Sequence, residues 1–268
     1  FRGNAGMGNI PVISFSMGLE KNSGFTISLP IITKGMYALV IGDVLMKVLY
    51  ATRPYEAVKG SADALYVKWN TFIKAELRKH GFNRRRANTI IRDMVKEFDE
   101  LERLEVKKPR VGVVGEILVK FSPVANKDII RLLEREGAEG VMPDLMDFLL
   151  YCLQNNYFKV DNYSQSKYKD VLASIGIRFM EYLRKGANET LRSSKHFSGT
   201  SQIGHLAEMA ERYVSQGDQC GEGWFLTGEM MELIEEGVPN IVCVQPFGCL
   251  PNIGEECHEH GVRPVGPV

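Results

Sequence analysis

The chain has 268 residues, 44% of them hydrophobic and 25% charged, with 33 basic side chains against 33 acidic ones. That is enough for one large or two modest domains with a sizeable core, and nothing in the even balance points to a general nucleic-acid or anionic-membrane surface. No run approaches the ~18 consecutive apolar residues of a membrane span, and no secretory pattern opens the chain.

Five cysteines without regular spacing argue against a disulfide framework. They point to a reducing, cytoplasmic setting in which thiols are free, buried or metal-bound. Residues 1–9 read as a loop of small and polar residues. Ile10-Pro11-Val12-Ile13-Ser14-Phe15 reads as a strand, with the proline near its start or on an edge. With so little before it, this strand is expected to end an upstream lobe, and the chain to be a piece of something longer. Gly35 to Tyr50 is apolar nearly all round and predicts a buried helix, with Asp43 and then Arg53 as polar interruptions.

Trp69, Phe72, Ile73 and Leu77 lie on one face of a helix, which Gly81 ends. Asn83 is placed to cap a second helix, whose stripe is Ala87, Ile90, Ile91, Met94, Val95, Phe98 and Leu101. Arg84-Arg85-Arg86 reads as a solvated basic face. After Lys107-Lys108-Pro109 the pattern changes, so residues 1–108 are assigned to the end of an upstream lobe with linking helices. Residues 109–268 are assigned to an α/β lobe.

Arg110 to Gly115 is a short, nearly continuous apolar run, as expected of a strand buried on both faces. A helix from about Asn126 to Glu136 and a strand around Gly140-Val141-Met142 complete a βαβ unit, and hence a parallel sheet. Pro143-Asp144 opens a helix ending near Asn155. From Tyr163 to Arg184, Tyr168, Val171, Leu172, Ile175, Phe179 and Leu183 mark another, and Leu191 to Thr200 reads as a surface excursion. A helix from Ile203 to Val214, a loop from Gly217 to Gly223 and a helix from Trp224 to Glu236 lead into a strand, Ile241 to Val244, expected to be buried.

No G-x-G-x-x-G or G-x-x-x-x-G-K-[ST] is present, so dinucleotide or ATP binding has no local support. Glu116, Lys120 and Asn126 follow the first strand of the βαβ unit and read equally as crevice-facing or as plain surface-loop residues. Ligands of open α/β sheets bind beyond such strand ends. Gly221-Glu222-Gly223 opens a helix, where glycines permit close backbone approach and the N-terminus favours an anion or a sulfide-rich cluster. A plain loop-to-helix turn explains the same glycines. Cys243 and Cys249 flank a turn after the last strand at a spacing that is neither C-x-x-C nor a zinc-finger pattern. Cys152, at the end of Phe148-Leu149-Leu150-Tyr151, reads as a core thiol. The same bland reading stands for Cys243. Cys249, in a Pro/Phe/Gly turn, presents a thiolate of the kind that suits iron–sulfur clusters and zinc. Cys257-His258-Glu259-His260 packs three zinc-type ligands into the tail.

Taken together, VGVVGEILVKFSPVAN, GVMPDLMDFLLYC, GEGWFLTGEM and CVQPFGCLPN resemble the family related to 2-hydroxyacyl-CoA dehydratases. They are most similar to the large activators of 2-hydroxyglutaryl-CoA dehydratase, in the part that follows the ATPase modules. The resemblance covers roughly residues 9 to 253. It implies Rossmann- or flavodoxin-like lobes, a [4Fe–4S] or related iron–sulfur cluster between them, and low-potential electron transfer driven by ATP hydrolysis in anaerobes. By the motif match Cys249 is the implied cluster ligand and Cys243 a second, with the remaining ligands in an upstream lobe. Gly221, Glu222, Gly223 and Glu116 are expected to line the cofactor crevice. The implied partner is an ATPase activator module or a dehydratase subunit, and the reading admits an acyl-CoA ligand and a homodimer. The alternative is a non-catalytic scaffold lobe that docks a partner or a CoA-type ligand without a cluster.

Overall fold

The computed structural model describes residues 28–163 and 166–249. It is mostly helical, with a small three-stranded parallel sheet, an α/β layout. The predicted strand Ile10–Phe15, the Cys257–His260 cluster and the residues after Cys249 lie outside the described residues.

Helix α1, Leu29–Thr52, has a proline in its first turn, where the missing N–H costs no bond. Its apolar composition would also suit a membrane span by length. Here its middle, from Val40 to Leu49, is mostly buried against α2, Ser61–Arg78, and α3, Arg84–Asp99, among other elements. Asn83 caps α3 as expected, its side chain accepting the Arg86 N–H at 3.1 Å. Ile90, Ile91, Met94 and Phe98 are at most 1% exposed, each contributing about 1.5–3 kcal/mol on burial. Arg53, just past α1, bonds Glu134 at 2.7 Å and Asp63 at 3.2 Å and so fastens the helical part to the sheet side.

Strand β1, Arg110–Gly115, pairs in parallel with β2, Glu139–Val141, on one side and β3, Asn240–Val244, on the other. The strand order is therefore β2-β1-β3. Between β1 and β2 come α4, Ile117–Phe121, and α5, Ile129–Arg135. Leading to β3 are α6, Leu145–Asn162, α7, Lys167–Ser193, α8, Ile203–Glu211, and α9, Gly223–Glu235. Val113 packs with Ile130 of α5, and Val114 packs with Leu226 and Leu233 of α9. Successive residues of a strand point to opposite faces, so α5 and α9 cover opposite sides of the sheet. This is why β1 reads as an unbroken apolar run.

Several expectations are corrected. The expected crossover helix is present as α5 but begins at Ile129, and it is preceded by an unexpected short helix, α4, after which Asn126 turns the chain by bonding the Val119 and Lys120 carbonyls, both at 2.9 Å. Helices α6 and α7 run longer than their patterns suggested, so Leu191 is helical and buried rather than part of a surface excursion. Strand β3 is half-exposed, since among the described residues it has a neighbour on one side only. Cys152 is exposed, because Leu150 and Tyr151 turn inward and the next residue lies about 100° around the helix. On α7 the inward face is Ala173, Met180, Leu183, Ala187 and Leu191, while Tyr168, Val171, Leu172, Ile175 and Phe179 point outward.

Candidate functional site

The carboxyl ends of β1 and β3 lie side by side, with Gly115 registered against Val244. Gly115 has φ 139°, and a Cβ there would lie 2.0 Å from the Val244 carbonyl oxygen. Only glycine lets the two strand ends approach this closely. The next residue, Glu116, donates its N–H to that same carbonyl at 3.1 Å. Its carboxylate then accepts the Val119 N–H at 2.8 Å and caps α4.

The loop before α9 closes on the same point. Gly223 has φ 27°, and a Cβ there would meet the Asp218 carbonyl oxygen at 1.8 Å. The loop is held from α6, where Tyr151 Oη donates to the Gly221 carbonyl at 2.7 Å and Asn155 Oδ1 accepts from Trp224 Nε1 at 2.8 Å. Glu222 is buried and accepts the Ile117 N–H at 3.1 Å. Thus Glu116, Glu222 and Gly223 come together at the strand ends, while Gly221 is exposed. The carboxylate received at the start of α4 is the chain's own.

Beneath this loop lies a buried ion pair. Lys120 Nζ donates to both oxygens of Glu229 at 2.7 and 2.8 Å. Its ammonium also sits 5.7 Å from the centre of the Phe225 ring. Burial pushes the Glu229 carboxyl up to about 7 against the pull of the ammonium. Lys120, read as facing the crevice or a surface loop, instead anchors α4 to α9. Asn126 is likewise structural.

Beyond β3, Gln245 Nε2 donates to Cys243 Sγ at 3.2 Å. A turn brings the Cys249 N–H to the Pro246 carbonyl at 3.2 Å. Cys243 is exposed and Cys249 half-buried, so Cys243 is not a core thiol. Their soft thiol donors match iron or zinc chemistry. The number falls short: among the described residues no group of three His, Cys, Asp or Glu side chains is gathered to hold a metal ion. A four-thiolate cluster therefore does not fit the described residues by themselves.

A second polar cluster has no counterpart among the expected sites. Asp43 of α1 accepts the Leu145 and Met146 N–H groups at 3.1 and 3.0 Å, capping α6 from another helix. Lys47 pairs with Asp144 at 3.1 Å, and Arg184 bonds Asp147, Glu181 and the Ser201 carbonyl. Glu232 accepts the Ser201 N–H at 3.0 Å. Burial, with Asp144 adding repulsion, holds Asp43 well above the usual carboxylate range. Burial also pushes Asp147 up to about 7 despite Arg184. The available signal was Asp43 and Lys47 one turn apart in an otherwise apolar helix. Beside this cluster is a cavity of about 60 Å³ lined by Lys47, Tyr50, Arg110, Glu139, His196 and Glu232, at the β2 side rather than at the β1–β3 ends.

Arg86 bonds Glu76 at 2.7 Å and Arg84 lies over the Tyr182 ring, so two of the three successive arginines have structural partners. Comparison of the chain with protein-family models, curated proteins and solved structures returns no match.

Proposed function

We propose that this chain is part of an iron–sulfur electron-transfer module related to 2-hydroxyacyl-CoA dehydratases and their activators. The carrying observation is convergence. Three of the four motifs that bear the resemblance meet where β1 and β3 end: VGVVGE runs through β1 into Glu116, GEGW supplies Glu222 and Gly223, and CVQPFGC runs from β3 to Cys249. Strand order β2-β1-β3 with α5 and α9 on opposite faces supports a flavodoxin-like core, in which the crevice between β1 and β3 is the switch point that binds cofactors.

In this reading Cys249 is one thiolate ligand and Cys243 a second, and the other ligands come from outside the described residues. When bound, the cluster would carry single electrons. The chain's own contribution is positional. Gly115 and the Glu116 N–H fix the β1–β3 spacing, and Glu222 ties α9 to the start of α4. The buried Lys120–Glu229 pair keeps that junction rigid.

A second reading has its own observation. Glu116 and Glu222 are already committed to the Val119 and Ile117 N–H groups, which suits a lobe that docks a partner or a CoA-type ligand and holds no cluster. Anaerobic reconstitution with iron and sulfide of the chain together with the upstream lobe that supplies the remaining ligands, followed by metal and sulfide analysis and electron paramagnetic resonance of the dithionite-reduced protein, separates the two. The cluster reading predicts bound iron with equivalent sulfide and a low-potential paramagnetic signal. A protein that stays colourless and iron-free ends it, and thermal shift with CoA thioesters then tests the second.

A further inference from the structure

The outward face of α7 is an apolar stripe that nothing in the cluster reading uses. Tyr168, Val171, Leu172, Ile175, Phe179 and Tyr182 are 40–71% exposed. At 100° per residue they fall within an arc of about 100° along the first four turns of the helix. Leaving Val171 aside, the spacing alternates four and three, the 3.5-residue seam that fits another α-helix in a left-handed crossing. The stripe ends where α3 crosses, with Asn88 packed against Gly186 and the Arg84 guanidinium 3.9 Å from the centre of the Tyr182 ring.

The pattern is also palindromic about Ile175. Tyr168 and Tyr182 lie seven residues to either side, Val171 and Phe179 four, and Leu172 and Arg178 three. A two-fold contact between antiparallel helices requires this symmetry, since residue i on one copy must suit its mirror position on the other. Here a tyrosine meets a tyrosine, the Phe179 ring meets the smaller Val171, and the Arg178 stem lies over Leu172 with its charge outward. The six side chains expose on the order of 100 Å² each. Pairing would bury about 1,200 Å² across two copies, the lower limit of specific interfaces. Left bare, the patch is at the top of the size range found on monomers.

We propose that α7 is a homodimer surface, packing antiparallel against α7 of a second copy with the two-fold axis at Ile175. The 268-residue chain then sediments as a dimer. Ile175→Asp places two carboxylates on the axis and weakens the dissociation constant roughly a hundredfold or more. Because Ile175 is exposed in one copy, circular dichroism and the melting profile of the dissociated protein stay native. Cross-linking tests the geometry: on oxidation Ile175→Cys joins to its own copy above the parent's background. Tyr168→Cys does not, while the double variant Tyr168→Cys/Tyr182→Cys does. A parent chain that is monomeric across the micromolar range overturns the proposal. So does a dimer indifferent to Ile175→Asp, or cross-linking of Tyr168→Cys as efficient as that of Ile175→Cys.

Discussion

Lys120 and Glu229, at 1% and 0% side-chain exposure, carry the most deeply buried ion pair described here. Removing one partner of such a pair leaves the other without compensation in a low-dielectric site, a loss of about 3–5 kcal/mol. Above pH 7, where Glu229 is ionised, Lys120→Met is expected to destabilise by that much in urea unfolding. Lys120→Met combined with Glu229→Leu should recover most of the loss, because the apolar pair has no charge to desolvate. Recovery in the double variant identifies the pair as a structural strut. No recovery would mean that the bonds themselves, rather than the orphaned charge, hold α4 to α9. Neither residue has a sequence signature of pairing across a separation of 109 residues. Lys120 was legible only as a polar residue after a strand, which is why the crevice and a plain surface loop were weighed equally for it.

At the scale of elements, Gly115 shows how one position controls the junction of two strands. Its φ lies in the region that favours glycine, and the space a Cβ needs is filled by the Val244 carbonyl. Gly115→Ala should therefore cost at least about 2 kcal/mol in unfolding free energy, from strain and displacement together. Gly137→Ala, at φ 87° with open space around it, is a control that isolates the conformational part. Equal losses in the two variants would refute the close-approach argument.

Helix existence was largely legible from the sequence. The six buried residues of α3 are all on the predicted stripe, because one apolar face and one charged face leave a single way to pack. The α7 stripe located its helix but not that helix's buried face, for the opposite reason. Both faces of that helix carry apolar residues, and the inward one, where Ala173 and Ala187 alternate with Met180, Leu183 and Leu191, packs closely against its neighbours. The short helix α4 was not legible, since it depends on Glu116 capping the Val119 N–H and Asn126 bonding two carbonyls rather than on any periodicity.

Across the whole molecule, the buried carboxyls make stability depend on pH in a definite direction. Burial raises the Asp147 and Glu229 carboxyls to about 7 in the folded protein, from the ordinary 3.8 and 4.5 of the unfolded chain. Between those limits the native state holds protons that the unfolded chain has released, so stability is greatest at the acidic end and falls as pH rises toward 7. The fall should be on the order of a few kcal/mol, measured as urea midpoints across this window, and Glu229→Gln should reduce its slope. Glu76, held down to about 2 by its bonds from Arg86 and Lys79, acts in the opposite sense but only in more acidic solution. A profile that rises from pH 4.5 to 7 would show that the buried carboxyls are ionised throughout.

The parallel sheet was legible as a βαβ pattern, and the meeting of three motifs at the strand ends follows from it. What the sequence could not convey is that Glu116 and Glu222 there are engaged by backbone N–H groups, while Cys243 is exposed and Cys249 half-buried. The most direct measurement is the iron content of the chain reconstituted anaerobically together with the upstream lobe, beside Cys249→Ala, with Cys152→Ala as the control on an exposed thiol elsewhere. The account predicts that Cys249→Ala loses most of the bound iron and sulfide while Cys152→Ala retains it. Full iron content in Cys249→Ala, or equal loss in both variants, would contradict it.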